Sequence, residues 1–126
     1  MQFGLSEEQS LLQESINRFL SNQVPLDEVR KIADGNKPES DVWAGLVDLG
    51  IPGLLISEAN GGLGLSSLDA AIVAEALGYH GTPSPYLSSA TIAPVALQSA
   101  GKREDLLSGV AIGEARIGVA FSEGVG

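Results

Sequence analysis

The stretch SSLDAAIVAEALG, residues 66–78, sets the fold class. Serine is a residue type that begins helices, and the residues after the two serines are apolar on nearly every side apart from Asp69 and Glu75. A helix that is hydrophobic all round is buried, so the pattern predicts a central helix covered by the rest of the domain. Gly78 is expected to end it.

Capping signals on the N-terminal side of this stretch predict two more helices. Ser6 and Gln9 have the spacing of a capping box, which predicts a helix over about residues 6–22 with apolar residues on one face. Pro25 fits the first turn of a second helix, because proline lacks an N–H group that this turn would leave unbonded. Gly35 is expected to close that helix.

Similar signals predict the remaining helices. Ser40 is expected to cap a third helix, which Gly50 ends in the left-handed conformation. An apolar helix that ends at Gly101 should be interrupted near Pro94, and KREDLLSG, residues 102–109, should form a short one. The prediction is an all-α bundle of five or six helices.

The glycine-rich stretch EANGGLGLSS, residues 58–67, raises the question of a phosphate-binding loop. A dinucleotide loop needs G-x-G-x-x-G directly after a strand, but the sequence from Gly62 reads G-L-G-L-S-S and lacks the third glycine. A P-loop needs Gly-Lys-Ser/Thr, and no lysine lies between Lys37 and Lys102. We therefore predict a tight turn that leads the chain into the next helix.

The hydrophobic pattern changes near the C-terminus. Ile117, Val119 and Phe121 alternate with small residues, a period of two that predicts a β-strand. Because one strand needs a partner, we expect a helical domain over residues 1–114 and the first strand of a β domain over residues 115–126.

Composition excludes several classes of function. The 126 residues carry a net charge of −9 and only seven scattered basic residues, which argues against binding to nucleic acids or to anionic membranes. The absence of cysteine excludes disulfides, thiolate nucleophiles and zinc–thiolate sites. No apolar run approaches the roughly 20 residues that span a bilayer, so we expect a cytoplasmic protein.

Few residues are candidates for catalysis. His80 is the single histidine, and without a nucleophile-elbow motif we expect an ordinary loop residue. Glu75 is a lone carboxylate on an apolar helix, where burial would raise its pKa and suit it to proton abstraction; a buried structural glutamate is the preferred alternative. Trp43 and Phe19 are expected in the core. No metal site is predicted.

Three segments in order resemble the N-terminal part of the acyl-CoA dehydrogenase family. They are FGLSEEQSLLQESINRFL (3–20), WAGLVDLGIPGLLISEANGGLGLSSLDAAIVAEALG (43–78) and SAGKREDLLSGVAIGEARIGVAFSE (99–123). The resemblance covers essentially the whole chain. It implies a flavoenzyme of three parts: a helical domain, a β domain and a C-terminal helical bundle that forms an oligomer core.

The resemblance also implies the chemistry. Family members remove two hydrogens across the α,β bond of an acyl-CoA thioester, with a glutamate taking the α proton and FAD accepting the β hydride. That glutamate comes from the C-terminal bundle in most members, and Glu75 matches a different, helix-end glutamate. The implied partners are an acyl-CoA substrate, an electron acceptor and further copies in a homo-oligomer.

Individual positions follow from the same resemblance. GVAFSE, residues 118–123, resembles the strand that contacts the flavin, so Val119, Phe121 and Ser122 are the expected FAD-binding residues. The hydroxyl of Ser122 would lie nearest the flavin ring. Tyr86 and Ala90 fall in the segment that lines the acyl pocket and are expected to face the substrate tail.

Several functions remain open at this point. The chain alone is expected to be inactive and not to retain FAD, as the helical part of a longer dehydrogenase. It could instead be a stand-alone helical module that dimerises through the exposed face of the Leu68–Leu77 helix, or part of a related oxidase or monooxygenase. The segment TPSPYLSSA, residues 82–90, resembles members acting on branched, aromatic or steroid-type substrates more than those acting on straight chains.

Overall fold

The computed structural model describes residues 3–120, 122 and 124, and every regular element in that part of the chain is helical. There are six α-helices, and one π-helical segment runs directly into the fifth. The long connection between the third and fourth α-helices contains two short 3-10 helices, Ile51–Gly53 and Glu58–Asn60. The elements are α1 (Glu7–Gln23), α2 (Leu26–Ala33), α3 (Ser40–Asp48), α4 (Ser67–Tyr79), the π segment (Tyr86–Ile92), α5 (Ala93–Ala100) and α6 (Glu104–Ala111). The predicted all-α fold of five or six helices is confirmed.

Two helices begin at capping boxes: the one predicted at Ser6 and Gln9, and one at Ser66, where the sequence predicted a cap at Ser66 or Ser67. At α1, the Gln9 N–H donates to Ser6 Oγ at 3.1 Å, and the Ser6 N–H donates to Gln9 Oε1 at 3.0 Å. At α4, Ser66 and Asp69 make the same reciprocal pair, and the hydrogen bond from the Ser66 hydroxyl lowers the pKa of Asp69. Each pair bonds N–H groups that the first helical turn cannot bond internally.

Other helix ends differ slightly from the prediction. Pro25 precedes α2 as its cap instead of lying in the first turn, and Ser40 is the first residue of α3, preceded by Glu39. Gly50 takes the predicted left-handed conformation with φ 75°. The helix α4 continues past Gly78 to Tyr79.

The main core forms where α4 packs against α1. Ile16 and Leu20 of α1 and Val73 of α4 are completely buried there. Trp43 is also buried, and the half-buried Phe19 packs against this cluster, so both predicted core positions are confirmed.

The expectation that α4 is covered on every side is wrong. Its exposed residues recur at helical spacing along one side: Ser67, Leu68, Ala71, Glu75, Gly78 and Tyr79. Alanine is small enough to occur on either a buried or an exposed face, so an alanine-rich sequence does not show which side faces solvent. One stripe of α4 therefore remains free of the domain's own packing.

The interruption predicted near Pro94 takes the form of a change from π-helix to α-helix. Pro94 lies in the first turn of α5, directly after the π segment, whose seven residues are wound more loosely than an α-helix. Proline cannot donate the hydrogen bond that would continue the preceding helix, and its ring clashes with the carbonyl four residues earlier. The segment Tyr86–Ile92 accommodates that defect.

The predicted C-terminal strand is not formed within the described residues. Ala115, Ile117 and Val119 are half-buried, and the residues between them are exposed, so the period-two pattern is real. The Ile117 N–H, however, donates to the Ser89 side chain and not to a neighbouring strand. An alternating segment becomes a strand only where another backbone pairs with it.

We predict that Ile72→Asp unfolds the domain and that Ala71→Asp does not. Ile72 is 5% exposed on the buried side of α4, whereas Ala71 is exposed one position earlier. A buried carboxylate without a partner costs several kcal/mol, comparable with the whole stability of a small domain. Circular dichroism melting of both variants checks this. Equal melting temperatures would show that the Ile72 side of α4 is not part of the core.

Candidate functional site

The glycine-rich turn directs its backbone donors inward. The N–H groups of residues 61–65 all donate to carbonyls of residues 53–58, at 2.8 to 3.0 Å. Gly61 and Gly64 have positive φ, and a side chain at Gly62 would collide with the Ile56 carbonyl. A phosphate site needs free N–H groups that point at the ligand. The prediction of a turn is therefore confirmed.

His80 and Glu75 are the two residues first considered for catalysis. His80, predicted to be an ordinary loop residue, follows α4 as its C-cap, and its Nε2 lies 3.1 Å from Asn17 Oδ1, so it joins the end of α4 to α1. Glu75 is exposed, and the prediction of a buried glutamate is wrong. It lies on the same side of α4 as the exposed Leu68 and Ala71. The buried carboxylate of this helix is Asp69, which caps it.

Tyr86 begins the π segment and is almost completely buried. Its hydroxyl donates to the Ala70 carbonyl of α4 at 2.9 Å. Burial raises the pKa of Tyr86 to about 12, because the protein interior disfavours the tyrosinate. The side chain is therefore neutral at physiological pH and ties the π segment to α4.

A groove of about 270 Å³ lies beside Tyr86. Its walls come from the end of α4 and the proline-containing turn after it: Ala74, Leu77, Gly78, Gly81, Thr82, Ser84, Tyr86 and Leu87. The Thr82 hydroxyl oxygen is buried without a hydrogen-bond partner among the described residues. Carbon atoms with a few hydroxyls make the groove suited to an apolar chain.

Ala90 lies elsewhere in the same segment. It is 1% exposed and belongs to the main core with Tyr86, and it is not among the residues that line the groove. The structure thus brings Tyr86, but not Ala90, to this groove.

Among the residues expected at the flavin, the two that the structure describes do not form a cofactor cradle. Val119 is half-buried, Ser122 is exposed, and Phe121 lies outside the described residues. Residues 115–120 pair with no strand in the described part of the chain. A ligand as large as FAD needs most of its surface enclosed. The described residues of this segment therefore do not fit FAD by themselves.

Sequence reasoning missed two residues whose hydroxyl oxygens are buried, the half-buried Thr82 and the fully buried Ser89. Ser89 is completely buried and accepts a hydrogen bond from the Ile117 N–H at 3.0 Å. Serine and threonine are usually exposed, and nothing in the spacing of the sequence separates these two from their neighbours. Asp69 had a signal, since it lies three residues after Ser66 in the capping pattern.

The described residues contain no group of three or more His, Asp or Glu side chains placed to hold a metal ion. No helix in this part of the chain is both long and apolar enough to cross a bilayer.

Tyr86 should lose its proton only in strong alkali, because burial raises its pKa. In a Tyr79→Phe variant the remaining tyrosine is Tyr86, and its absorbance change should be centred near pH 12. Because the folded pKa lies above the ordinary 10.0, the stabilisation from the neutral form is complete below about pH 10 and is lost as pH rises through about 12. Tyr86→Phe, which leaves the exposed Tyr79, is the matched control. A midpoint near 10 for Tyr86 in folded protein would contradict its burial.

Comparisons with known proteins agree with this fold. The family described as "Acyl-CoA dehydrogenase, N-terminal domain" matches residues 6–114. The acyl-CoA dehydrogenase IpdE2 of Mycolicibacterium smegmatis is 34% identical over 104 residues, which are 81% of this chain and 33% of that relative. The chain thus spans about a third of the length of the curated relative. No solved structure gives a significant match.

The family match runs from the capping box of α1 to the turn after α6, and it therefore includes all six α-helices. The chain belongs to the acyl-CoA dehydrogenase N-terminal domain family.

Proposed function

We propose that this chain acts as the helical domain of an FAD-dependent acyl-CoA dehydrogenase. The family match over residues 6–114 is the observation that carries the proposal. The relative's length supports it, because a domain of this size makes up about a third of that dehydrogenase.

The domain's own contribution would be to the acyl end of the substrate. The groove beside Tyr86 has carbon-rich walls, and an acyl tail gains free energy when such surface is removed from water. Tyr86 would form one wall of the groove as an uncharged residue. Its hydroxyl is held in place by the hydrogen bond to the Ala70 carbonyl. Ala90, which is buried in the core and does not line the groove, would keep the segment close to α4. We therefore propose Tyr86 as the residue that contacts the acyl tail, and Ala90 as a residue that supports it from the core.

The cofactor would be FAD, which in the whole enzyme supplies the hydride acceptor. Val119, Phe121 and Ser122 remain the proposed contacts to its ring, although the described ones enclose too little volume to hold it alone. We therefore propose that the 126 residues are catalytically silent in isolation. The electron acceptor, and the choice between dehydrogenase, oxidase and monooxygenase, would depend on the other domains.

The exposed stripe of α4 favours one alternative, a helical interaction module. Leu68 is 51% and Tyr79 85% exposed there, and apolar residues at helical spacing can pair two copies of a chain. In an oligomeric dehydrogenase the same stripe could face another domain or subunit. The two proposals differ in whether the natural protein carries flavin.

The test is to purify the natural protein from its source with an antibody against this helical domain. Its mass, visible spectrum and oxidation of a panel of acyl-CoA thioesters with an artificial electron acceptor are then measured. The proposal predicts a protein about three times as long with one FAD per chain and measurable dehydrogenation. The 126-residue chain under the same conditions, the matched control, should show none.

A natural protein of 13.0 kDa without flavin that forms dimers would contradict the proposal and support the interaction module. A flavoprotein that consumes oxygen in place of the artificial acceptor would keep the domain assignment but replace dehydrogenase by oxidase.

A further inference from the structure

Residues 115–117 are attached to the helical bundle at three places. The side chains of Ala115 and Ile117 pack on a small second core of Ile56, Leu107 and Val110. Arg116, between them, reaches in a different direction to α3 and its preceding residue. The Ile117 N–H donates to Ser89 Oγ. We call residues 115–117 the latch.

We propose that the latch fixes the position of the segment that carries the proposed flavin contacts relative to the π segment, which carries the proposed acyl-tail contact. Ser89 and Arg116 are its positioning residues. This inference rests on the proposed function for its purpose. The latch itself can be tested without flavin or substrate.

Ser89 provides the link to the acyl side. It is completely buried in the π segment, three residues after Tyr86 and next to Ala90. Its partner, Ile117, lies two residues before Val119. One hydrogen bond of 3.0 Å therefore joins the segment of the proposed acyl-tail contact to the segment of the proposed flavin contacts. A seven-residue π segment is uncommon, and such distortions are frequent at functional sites.

Arg116 provides the link to α3. Its guanidinium carbon lies 5.6 Å from the centre of the Trp43 ring, within the range of a cation–π contact. The same group pairs with Glu39 Oε2 at 3.2 Å. Both partners belong to one turn, with Glu39 at the cap of α3 and Trp43 four residues later. A planar arginine can stack and pair at once, which a lysine cannot do equally well.

The two links should support each other. Arg116 and Ile117 are adjacent in sequence, so release of either one frees the backbone that positions the other. Arg116 contacts Trp43 and Glu39, whose Nε1 and Oε1 atoms are buried without a partner among the described residues. Release of the latch would expose these groups to water, and Trp43 is the only tryptophan, so its fluorescence reports on the event.

The experiment compares Ser89→Ala with Ser88→Ala in the full 126-residue chain. Ser88 is the matched control because its hydroxyl bonds only within the turn, to the Pro85 carbonyl. Two quantities are measured in each variant: the exchange rate of the Ile117 amide by NMR and the emission of Trp43. A third variant, Arg116→Gln, removes the contacts of the arginine with Trp43 and Glu39. Because this side chain is partly exposed, we expect the variant to fold.

The proposal predicts effects that cross from one link to the other. Ser89→Ala should raise Ile117 exchange roughly fivefold, the factor expected for one ordinary hydrogen bond, and should shift Trp43 emission to the red. Arg116→Gln should also raise Ile117 exchange, although it does not touch Ser89. In the double variant Ser89→Ala/Arg116→Gln, the increase in Ile117 exchange should be smaller than the product of the two single increases, because both links hold the same segment.

Three results would overturn the latch. If the exchange rate of the Ile117 amide is unchanged in Ser89→Ala, the hydrogen bond to Ser89 does not hold the latch. If the rate is unchanged in Arg116→Gln, the two links are not coupled. If Ser88→Ala and Ser89→Ala change Ile117 exchange and Trp43 emission equally, the cause is a general loosening of the π segment and not the loss of one hydrogen bond. If Ser89→Ala does not fold, Arg116→Gln alone decides the coupling. None of these results depends on dehydrogenase activity, so failure of the latch and failure of the proposed function are distinguished.

Discussion

The packing of α4 on α1 is the constraint on which the rest of the domain depends. Ile16 and Leu20 meet Val73 in a seam that excludes water completely. Because helices pack at a fixed separation set by their side chains, the connections must deliver both helices to that distance. The N–H groups of the glycine turn donate to the carbonyls just before it. These hydrogen bonds keep the turn tight and lead the chain to Ser66 at the start of α4. The hydroxyl of Tyr86 then anchors the π segment on the same helix.

Local chemistry made part of this fold predictable. The caps at Ser6 and Ser66, the left-handed Gly50 and the break near Pro94 each depend on a few neighbouring residues, and the sequence shows those residues directly. The prediction of a C-terminal strand was wrong because a strand does not depend on neighbouring residues alone. Its alternating pattern is present, but a strand also needs a distant partner, and Ile117 bonds to Ser89 instead.

The site was less predictable than the fold. The resemblance singled out Tyr86, whose contact with a substrate stays a prediction. The groove beside Tyr86 and the hydrogen bond from its hydroxyl to Ala70 depend on how the turn folds back on α4. The exposure of Glu75 could not be read from an alanine-rich helix, because alanine tolerates either face. Arg116 and Glu39 are separated by 77 positions, and no spacing rule predicts such a pair.

Under the proposed function, the domain would contribute a groove for the acyl tail and a few contacts to the flavin, and the proposed latch would hold the two segments together. The most direct test of this division is equilibrium binding of FAD to the purified 126-residue chain, followed by gel filtration and a visible spectrum. The account predicts a colourless protein, because the described flavin-side residues enclose too little of the cofactor to offset the cost of immobilising it. A flavin band that co-elutes at one FAD per chain would contradict it.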